Sequence, residues 1–289
     1  MAGDLHCHTR LSDGSMGIDD LIILAKKQGV NNIAITDHDC LAGTVRGRLI
    51  GERHGVTVIP AVEFSSTDTK RGKKVHILCY LSDSPDRLEG LCRRNLTARK
   101  RASQYMAIKV AQRYPATPEL IVKCASGSTN IYKQHIMHAL MECGITDQIF
   151  GNLYDELFSE ESDTNIIVNA KFPDPVEILA AIHDAGGIAV LAHPCLFDSM
   201  ELLEELIPLG LDGVEVWHPQ CSKEQTSVLQ AIAVKNNLLM TGGSDFHGMY
   251  SKGKLTLGDV LTPDEQMTSL LNYKARQRRQ QLKAAAENI

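Results

Sequence analysis

The sequence contains no apolar run near the roughly 20 residues that a membrane-spanning helix needs, so no membrane partner is expected. It has no C-x-x-C pair, and its eight cysteines fall at irregular intervals. A chain this long does not need disulfide staples. The cysteines, including Cys7, Cys40 and Cys195 beside polar motifs, are expected to be small, reduced core residues. A nucleophile elbow, a P-loop and a dinucleotide fingerprint are all missing, and Gly186-Gly187 and Gly242-Gly243 read as turns. Repeats and low-complexity segments are absent. So is an excess of charge: a net charge of -5 and a pI near 6.1 give no bulk argument for nucleic acid or anionic membrane. A first strand that begins within a few residues of Met1 leaves no room for a signal peptide. A cytoplasmic location is the resulting expectation.

What is present suits one large barrel with an insertion, or two domains: 289 residues, 43% hydrophobic and 22% charged. Residues 4–82 alternate strand and helix patterns. Ile18, Leu21, Ile22, Leu24 and Ala25 share one side of a helix closed by Gly29, and 43–54 gives a second helix. Strand runs at 56–62 and 74–81 flank a polar, basic loop at 65–74. From 84 to 170 the pattern turns helical, with helices over 85–113 and 130–142. Alternation resumes at Asp174-Pro175-Val176-Glu177, an N-cap followed by a first-turn proline. Strands at 187–192, 211–217 and 238–241 follow, with helices near 199–207, 222–236 and 263–285. Seven barrel strands result. The basic stretch Arg93-Arg94, Arg99-Lys100-Arg101, Lys109, Arg113 and the tail Lys274, Arg276, Arg278, Arg279, Lys283 read as solvated helical faces.

Nine metal-capable side chains sit in polar clusters, nearly all directly after strand-like runs. They are His6, His8, Asp13, His38, Glu63, His76, His193, Asp245 and His247. Only His76 lies inside its run, Lys74-Val75-His76-Ile77-Leu78. A barrel of parallel strands would gather such residues at one mouth. His6 and His8, like Asp245 and His247, are spaced i, i+2 and share a face of an extended chain. Glu63 ends an apolar run, where an unpaired carboxylate is costly to bury, and it is the candidate to bridge two cations. Six imidazoles and three carboxylates without thiolate suit Mn, Fe(II) or Zn rather than calcium. Nine donors exceed the four of a closed structural zinc site and suit two or three divalent ions with open positions. Such ions activate water and clamp the oxygens of an in-line displacement, which points to phosphate ester hydrolysis.

The motif series Asp4-Leu5-His6-Cys7-His8-Thr9, Ser12-Asp13-Gly14, Thr36-Asp37-His38-Asp39, Glu63, His76, Ala192-His193-Pro194 and Gly243-Ser244-Asp245-Phe246-His247 resembles that of the PHP (polymerase and histidinol phosphatase) superfamily. The resemblance implies an α/β fold, a distorted (β/α)7 barrel over 1–83 and 171–289, with a helical insertion domain at 84–170 covering the active site. It also implies three metal groups: His6, His8, Glu63 and Asp245; Glu63, His76 and His193; and Asp13, His38 and His247. Asp245, His193 and Glu63 are expected to carry catalysis, with water attacking phosphorus and no covalent intermediate. The insertion is similar to that of the branch containing nucleoside 3′,5′-bisphosphate phosphatases and 5′-3′ exoribonucleases. Where that branch usually has Gly-Arg-Pro-His, this chain has Tyr132-Lys133-Gln134-His135, and no Tyr-Leu-x-x-Gly stretch occurs near 153–161. Lys133 keeps a charge but not a bidentate fork. Lys133, His135 and Arg10 are the candidate phosphate contacts. Glu215 and His218, at the end of the sixth strand, are expected to support the ligands or touch substrate.

The expected function is therefore removal of phosphate from a small nucleotide such as a nucleoside 3′,5′-bisphosphate, by metal-activated water. The alternative is a 5′-3′ exonuclease on short RNA, using the basic helix. A histidinol-phosphate phosphatase fits the insertion less well. A PHP module that has lost activity would lack ligands, and here all nine positions are filled.

Overall fold

A computed structural model describes residues 2–287, with side chains through Gln277; Arg278, Arg279 and Lys283 of the basic tail lie outside the described side chains. Seven strands form one sheet in sequence order: β1 (Asp4–Cys7), β2 (Asn32–Ile35), β3 (Thr57–Asp68), β4 (Lys73–Tyr80), β5 (Ile188–Leu191), β6 (Gly213–Trp217) and β7 (Leu239–Gly242). The helices are α1 (Ile18–Lys27), α2 (Thr44–His54), α3 (Glu89–Arg113), α4 (Pro118–Cys124), α5 (Lys133–Glu142), α6 (Asn152–Phe158), α7 (Pro175–Asp184), α8 (Met200–Leu206), α9 (Lys223–Lys235) and α10 (Asp264–Glu287). The sheet curls into a nearly closed barrel. A bridge between Cys7 and Phe246 brings the chain after β7 against the end of β1.

Strands buried on both faces read as continuous apolar runs, and β5, Ile188-Ala189-Val190-Leu191, is buried throughout. Around the barrel, α1 turns Ile18, Leu21, Ile22 and Ala25 inward. At α7 the Asp174 carboxylate accepts the Val176 N–H, as the N-cap pattern requires. No helix among the described residues is long and apolar enough to cross a membrane.

The distortion of the barrel has a definite location. β4 pairs antiparallel with both β3 and β5, whereas the other pairs are parallel. The expectation of uniformly parallel strands is corrected there. The reversal explains His76: the beginning of β4 lies at the mouth where the other strands end, opposite Ser65 of β3. The expected loop at 65–74 is mostly strand, because β3 continues to Asp68 and β4 starts at Lys73.

Within residues 84–170, Met106, Val110, Ile121, Ile136, Leu140, Leu157 and Ile166 pack together in an apolar cluster that Tyr250 joins from the loop after β7. The short helices α4 and α6 escape periodicity, at 7 residues each. The first turn of α3 belongs with the barrel, since Leu91 and Cys92 pack with Val62, Phe64 and Ile178. One expectation about cysteine is overturned: Cys195 and Cys221 are joined by a disulfide, while the remaining six are free. Their partnership, across 26 residues, follows from the adjacency of β5 and β6.

Candidate metal centre

All nine residues singled out by spacing meet at the mouth of the barrel, around Glu63. One oxygen of Glu63, Oε2, lies 3.3 Å from His6 Nε2, 3.2 Å from His8 Nε2 and 3.2 Å from His38 Nδ1. The other, Oε1, lies 2.8 Å from His76 Nδ1 and 2.9 Å from His193 Nε2. A carboxylate with imidazoles on both oxygens is placed to bridge cations. Asp245 Oδ1 sits 3.5 Å from His6 Nε2 and 3.3 Å from His8 Nε2. Asp13 completes the outer side, 3.3 Å from His247 Nε2 and 3.8 Å from His38 Nε2.

Among the described residues, overlapping trios could hold a metal: His6, Glu63 and His193; His6, His8 and Asp245; His8, His38 and Glu63; and His8, Asp13 and His247. His76, Glu63 and His193 form a further trio, with atoms 2.8, 2.9 and 3.3 Å apart. His8 therefore reaches the Asp13–His247 side as well as the Glu63 side. The donors fit a cation better than they fit one another. Nε2 of His6, Nε2 of His8, Nδ1 of His38 and Oδ1 of Asp13 are buried without a hydrogen-bond partner, a condition that buried polar atoms rarely tolerate.

Electrostatics agrees. Burial alone would push the Glu63 carboxyl up, but His38, His76 and His6 overcome it and hold the group well below the usual carboxylate range. Burial pulls the His6 imidazole down, yet Glu215, Glu63 and Asp245 raise it well above its ordinary value. The field that favours a proton on His6 equally favours a metal cation.

The supports are built from the backbone outward. Glu215 accepts from the His193 backbone N–H at 2.8 Å and contacts His6 Nδ1 at 2.9 Å, so one buried carboxylate orients two imidazoles. His218 Nε2 lies 3.4 Å from Asp245 Oδ2. Asp37 accepts from the Thr9 N–H and hydroxyl and from the Ser12 hydroxyl, fixing the loop that carries His8 and Asp13. Asp39 (φ 54°), His193 (φ 24°) and Asp245 (φ 50°) hold left-handed backbone, a strain that sites impose through their surroundings. Gly243 is required by close approach: a Cβ there would collide with the His6 backbone nitrogen.

At the mouth, Arg99, Met106, Tyr132, Lys133 and Tyr154 help to line a cleft of about 960 Å³, into which Glu63, His76, His193, Asp245 and Asp13 open. Lys133 lines it, with Nζ 5.1 Å from the Phe158 ring centroid. The other two candidate phosphate contacts are not brought to it. Arg10 bonds the Ser15 carbonyl, and His135 is buried, accepting the Tyr132 N–H at 3.1 Å as a helix cap. Both border a separate hollow of about 340 Å³. Sequence reasoning missed Arg99, which leaves the basic face of α3 and enters the cleft. It donates to Asp39 at 3.2 Å and to Ser65, and lies 4.7 Å from the Tyr132 ring centroid and 5.0 Å from that of Phe172. It missed Gln134 too, which donates to Asp13 at 3.2 Å.

A barrel with imidazole and carboxylate groups converging at one mouth, in a cleft with cationic walls, defines a metal-dependent hydrolase of phosphate esters. Comparison with known proteins agrees. Residues 4–128 match the PHP domain model. The chain is 34% identical over 254 residues to a phosphoribosyl 1,2-cyclic phosphate 1,2-diphosphodiesterase of Eggerthella lenta, covering 87% of this chain and 96% of that protein. It is 28% identical to a 5′-3′ exoribonuclease of Haemophilus influenzae, covering 90% and 96%. Among solved structures, a protein of Bifidobacterium adolescentis assigned as a metal-dependent phosphoesterase superposes with a TM-score of 0.83 at 31% identity, covering 93% and 94%. The chain belongs to the PHP family and is a metal-dependent phosphoesterase.

Proposed function

We propose that this enzyme hydrolyses a phosphoester of a small phosphorylated ribose compound, a cyclic phosphodiester foremost and a nucleoside 3′,5′-bisphosphate next. The observation that carries the reading is a donor cluster around Glu63 at the floor of a bounded cleft whose walls hold Arg99, Lys133, Lys74 and Lys252. A volume near 960 Å³ suits a small ligand. The floor takes the reacting phosphoryl group, and the wall cations take a second phosphate. The similarity to the Eggerthella lenta enzyme supports the cyclic diester as first choice.

In this reading, His6, His8, Glu63 and Asp245 hold one ion, Glu63, His76 and His193 a second, and Asp13, His38 and His247 a third, with His8 shared toward that group. Imidazole and carboxylate donors favour Mn, Fe(II) or Zn. When bound, such ions supply an activated water and neutralise charge on the phosphoryl oxygens. Glu215 keeps His6 and His193 aimed at the floor. The segment 84–170 serves as a lid domain on the barrel of 1–83 and 171–289, and its Arg99 and Lys133 orient the substrate.

Burial pulls the Lys133 amine down to about 8. It is therefore cationic below that pH and neutral above, so a phosphate contact is present on the acid side and fades as pH rises through 8. KM for a doubly phosphorylated substrate is expected to climb over that interval, and the climb should vanish in Lys133→Gln. A KM profile identical in the two proteins would remove Lys133 from substrate binding.

One observation favours RNA as a second reading. Arg93, Arg94, Arg101 and Lys171, with Tyr105, line an outer groove that shares Ala102, Val168, Asn169 and Ala170 with the cleft. A strand of phosphates could follow it. The discriminating experiment measures phosphate ester cleavage of phosphoribosyl 1,2-cyclic phosphate, adenosine 3′,5′-bisphosphate and a short 5′-phosphorylated RNA, with Mn and with chelator. Metal-dependent turnover of a small substrate is expected. Cleavage confined to RNA, weakening steeply with salt, would transfer the function to the groove.

A further inference from the structure

Cys7, Cys40, Cys79, Cys92, Cys124 and Cys143 are free thiols, whereas Cys195 and Cys221 are joined with their Cα atoms 5.6 Å apart. A fold with six unpaired thiols is not organised by disulfides, and its strands pack without them. The one bond present lies at the working mouth of the barrel. Cys195 follows His193 by two residues and precedes Phe197 by two. The Phe197 ring stands edge-on to His193 and to His76, at 5.2 and 5.1 Å. Cys221 donates its N–H to the His218 carbonyl at 3.0 Å. The His218 ring lies 5.3 Å from that of His193, and its Nε2 lies 3.4 Å from Asp245.

The bond thus ties the segment after β5 to the segment after β6, each bearing an imidazole of the site. His193 needs such a tie, because its left-handed φ of 24° persists only under external restraint. Glu215 supplies one restraint through the His193 N–H. The Leu196 N–H bonded to the His193 carbonyl at 2.9 Å supplies a second, and the disulfide, two residues on, adds a covalent one.

We propose that Cys195 and Cys221 form a thiol–disulfide switch that sets how firmly the His193 side of the centre retains its metal. The inference rests on His193 being a metal ligand, as proposed above. The oxidant is a small disulfide. One cysteine thiol, losing its proton, attacks a sulfur of that disulfide and expels one small thiol, leaving a mixed disulfide. The second cysteine thiol, losing its proton, attacks the protein sulfur of the mixed disulfide and expels the second small thiol. Two protein thiols are oxidised to one disulfide, and one small disulfide is reduced to two thiols. In the joined form His193 Nε2 is held 2.9 Å from Glu63 and 3.3 Å from His76 Nδ1. In the dithiol form the two segments lose that covalent tie, and the metal leaves more readily.

The test loads the full-length protein with Mn and equilibrates it in buffers of reduced and oxidised glutathione. Thiols are counted in denaturant, and Mn remaining after timed exposure to chelator is measured by elemental analysis. The expected result is eight thiols in reducing buffer and six in oxidising buffer, with one cross-linked peptide containing Cys195 and Cys221. Mn loss should be about tenfold faster from the dithiol form, the scale on which supporting groups influence metal affinity. Cys221→Ser should lose Mn at the fast rate in either buffer. Eight thiols in every buffer, or equal Mn loss from the two forms, would overturn the switch. His193→Ala separates the premises. Wild-type Mn retention in that variant defeats the ligand assignment. Rapid loss there, beside equal rates for oxidised and reduced wild type, defeats the switch alone.

Discussion

Glu63→Gln is expected to lower turnover on the order of 10³-fold or more while leaving the fold intact. The substitution preserves shape and volume but removes the charge that five imidazoles surround, at 2.8–3.3 Å. A loss of 10³ corresponds to about 4 kcal/mol of transition-state stabilisation, the size expected when a charged group fixing the reacting centre is neutralised. Metal bound per chain should fall in elemental analysis, while circular dichroism stays unchanged. His193→Ala and Asp245→Ala should behave alike, because each removes a donor that no neighbour replaces. Full turnover in any of the three, at saturating substrate, would sink the assignment of the centre.

Asp4→Ala should produce the largest loss of stability. Asp4 is wholly buried, and its carboxylate accepts the Ser244 N–H at 2.9 Å, the Ser244 hydroxyl at 2.6 Å and the Gly258 N–H at 2.9 Å. It closes the barrel by tying β1 to the loop that carries Asp245. Burial pushes its carboxyl above the usual carboxylate range, and the donors from Ser244, Gly258 and His6 pull against that rise. Each donor stranded without an acceptor costs about 1–3 kcal/mol, so a total of roughly 3 kcal/mol or more is expected. Thermal unfolding should begin some 5–10 °C lower. Asp4→Asn, which keeps one acceptor oxygen, should lose less. Equal melting of Asp4→Ala and wild type would show that Ser244 and Gly258 find other partners.

The centre was legible because its residue types are rarely found together at strand ends without purpose. H-x-H at 6–8 and D-x-H at 245–247 keep paired donors close, although Asp245 (φ 50°) lies in left-handed backbone and not in the expected extended chain, and apolar runs before them say where the strands stop. His76 resisted the pattern, since nothing in Lys74-Val75-His76 reveals that β4 runs against its neighbours. The cleft wall was harder to read. Arg99 belongs to a basic stretch whose other members stay outside, and only the packing of α3 at the mouth turns it onto Tyr132 and toward Asp39. Arg10 and His135 show the opposite error. Both lie near site motifs in sequence, but a neighbour along the chain shares no direction with its ligand, and both face away from the cleft. Cys195 and Cys221 pair across 26 residues, a relation set by strand adjacency that composition does not carry.

The most direct test of the account is a metal titration. Chelator-stripped protein is titrated with Mn, and bound equivalents are measured alongside hydrolysis of phosphoribosyl 1,2-cyclic phosphate. Two or three equivalents should bind, with turnover absent at the start and rising as the second fills. Binding of a single equivalent, or full turnover by the stripped protein, would contradict a multinuclear phosphoesterase centre built on Glu63.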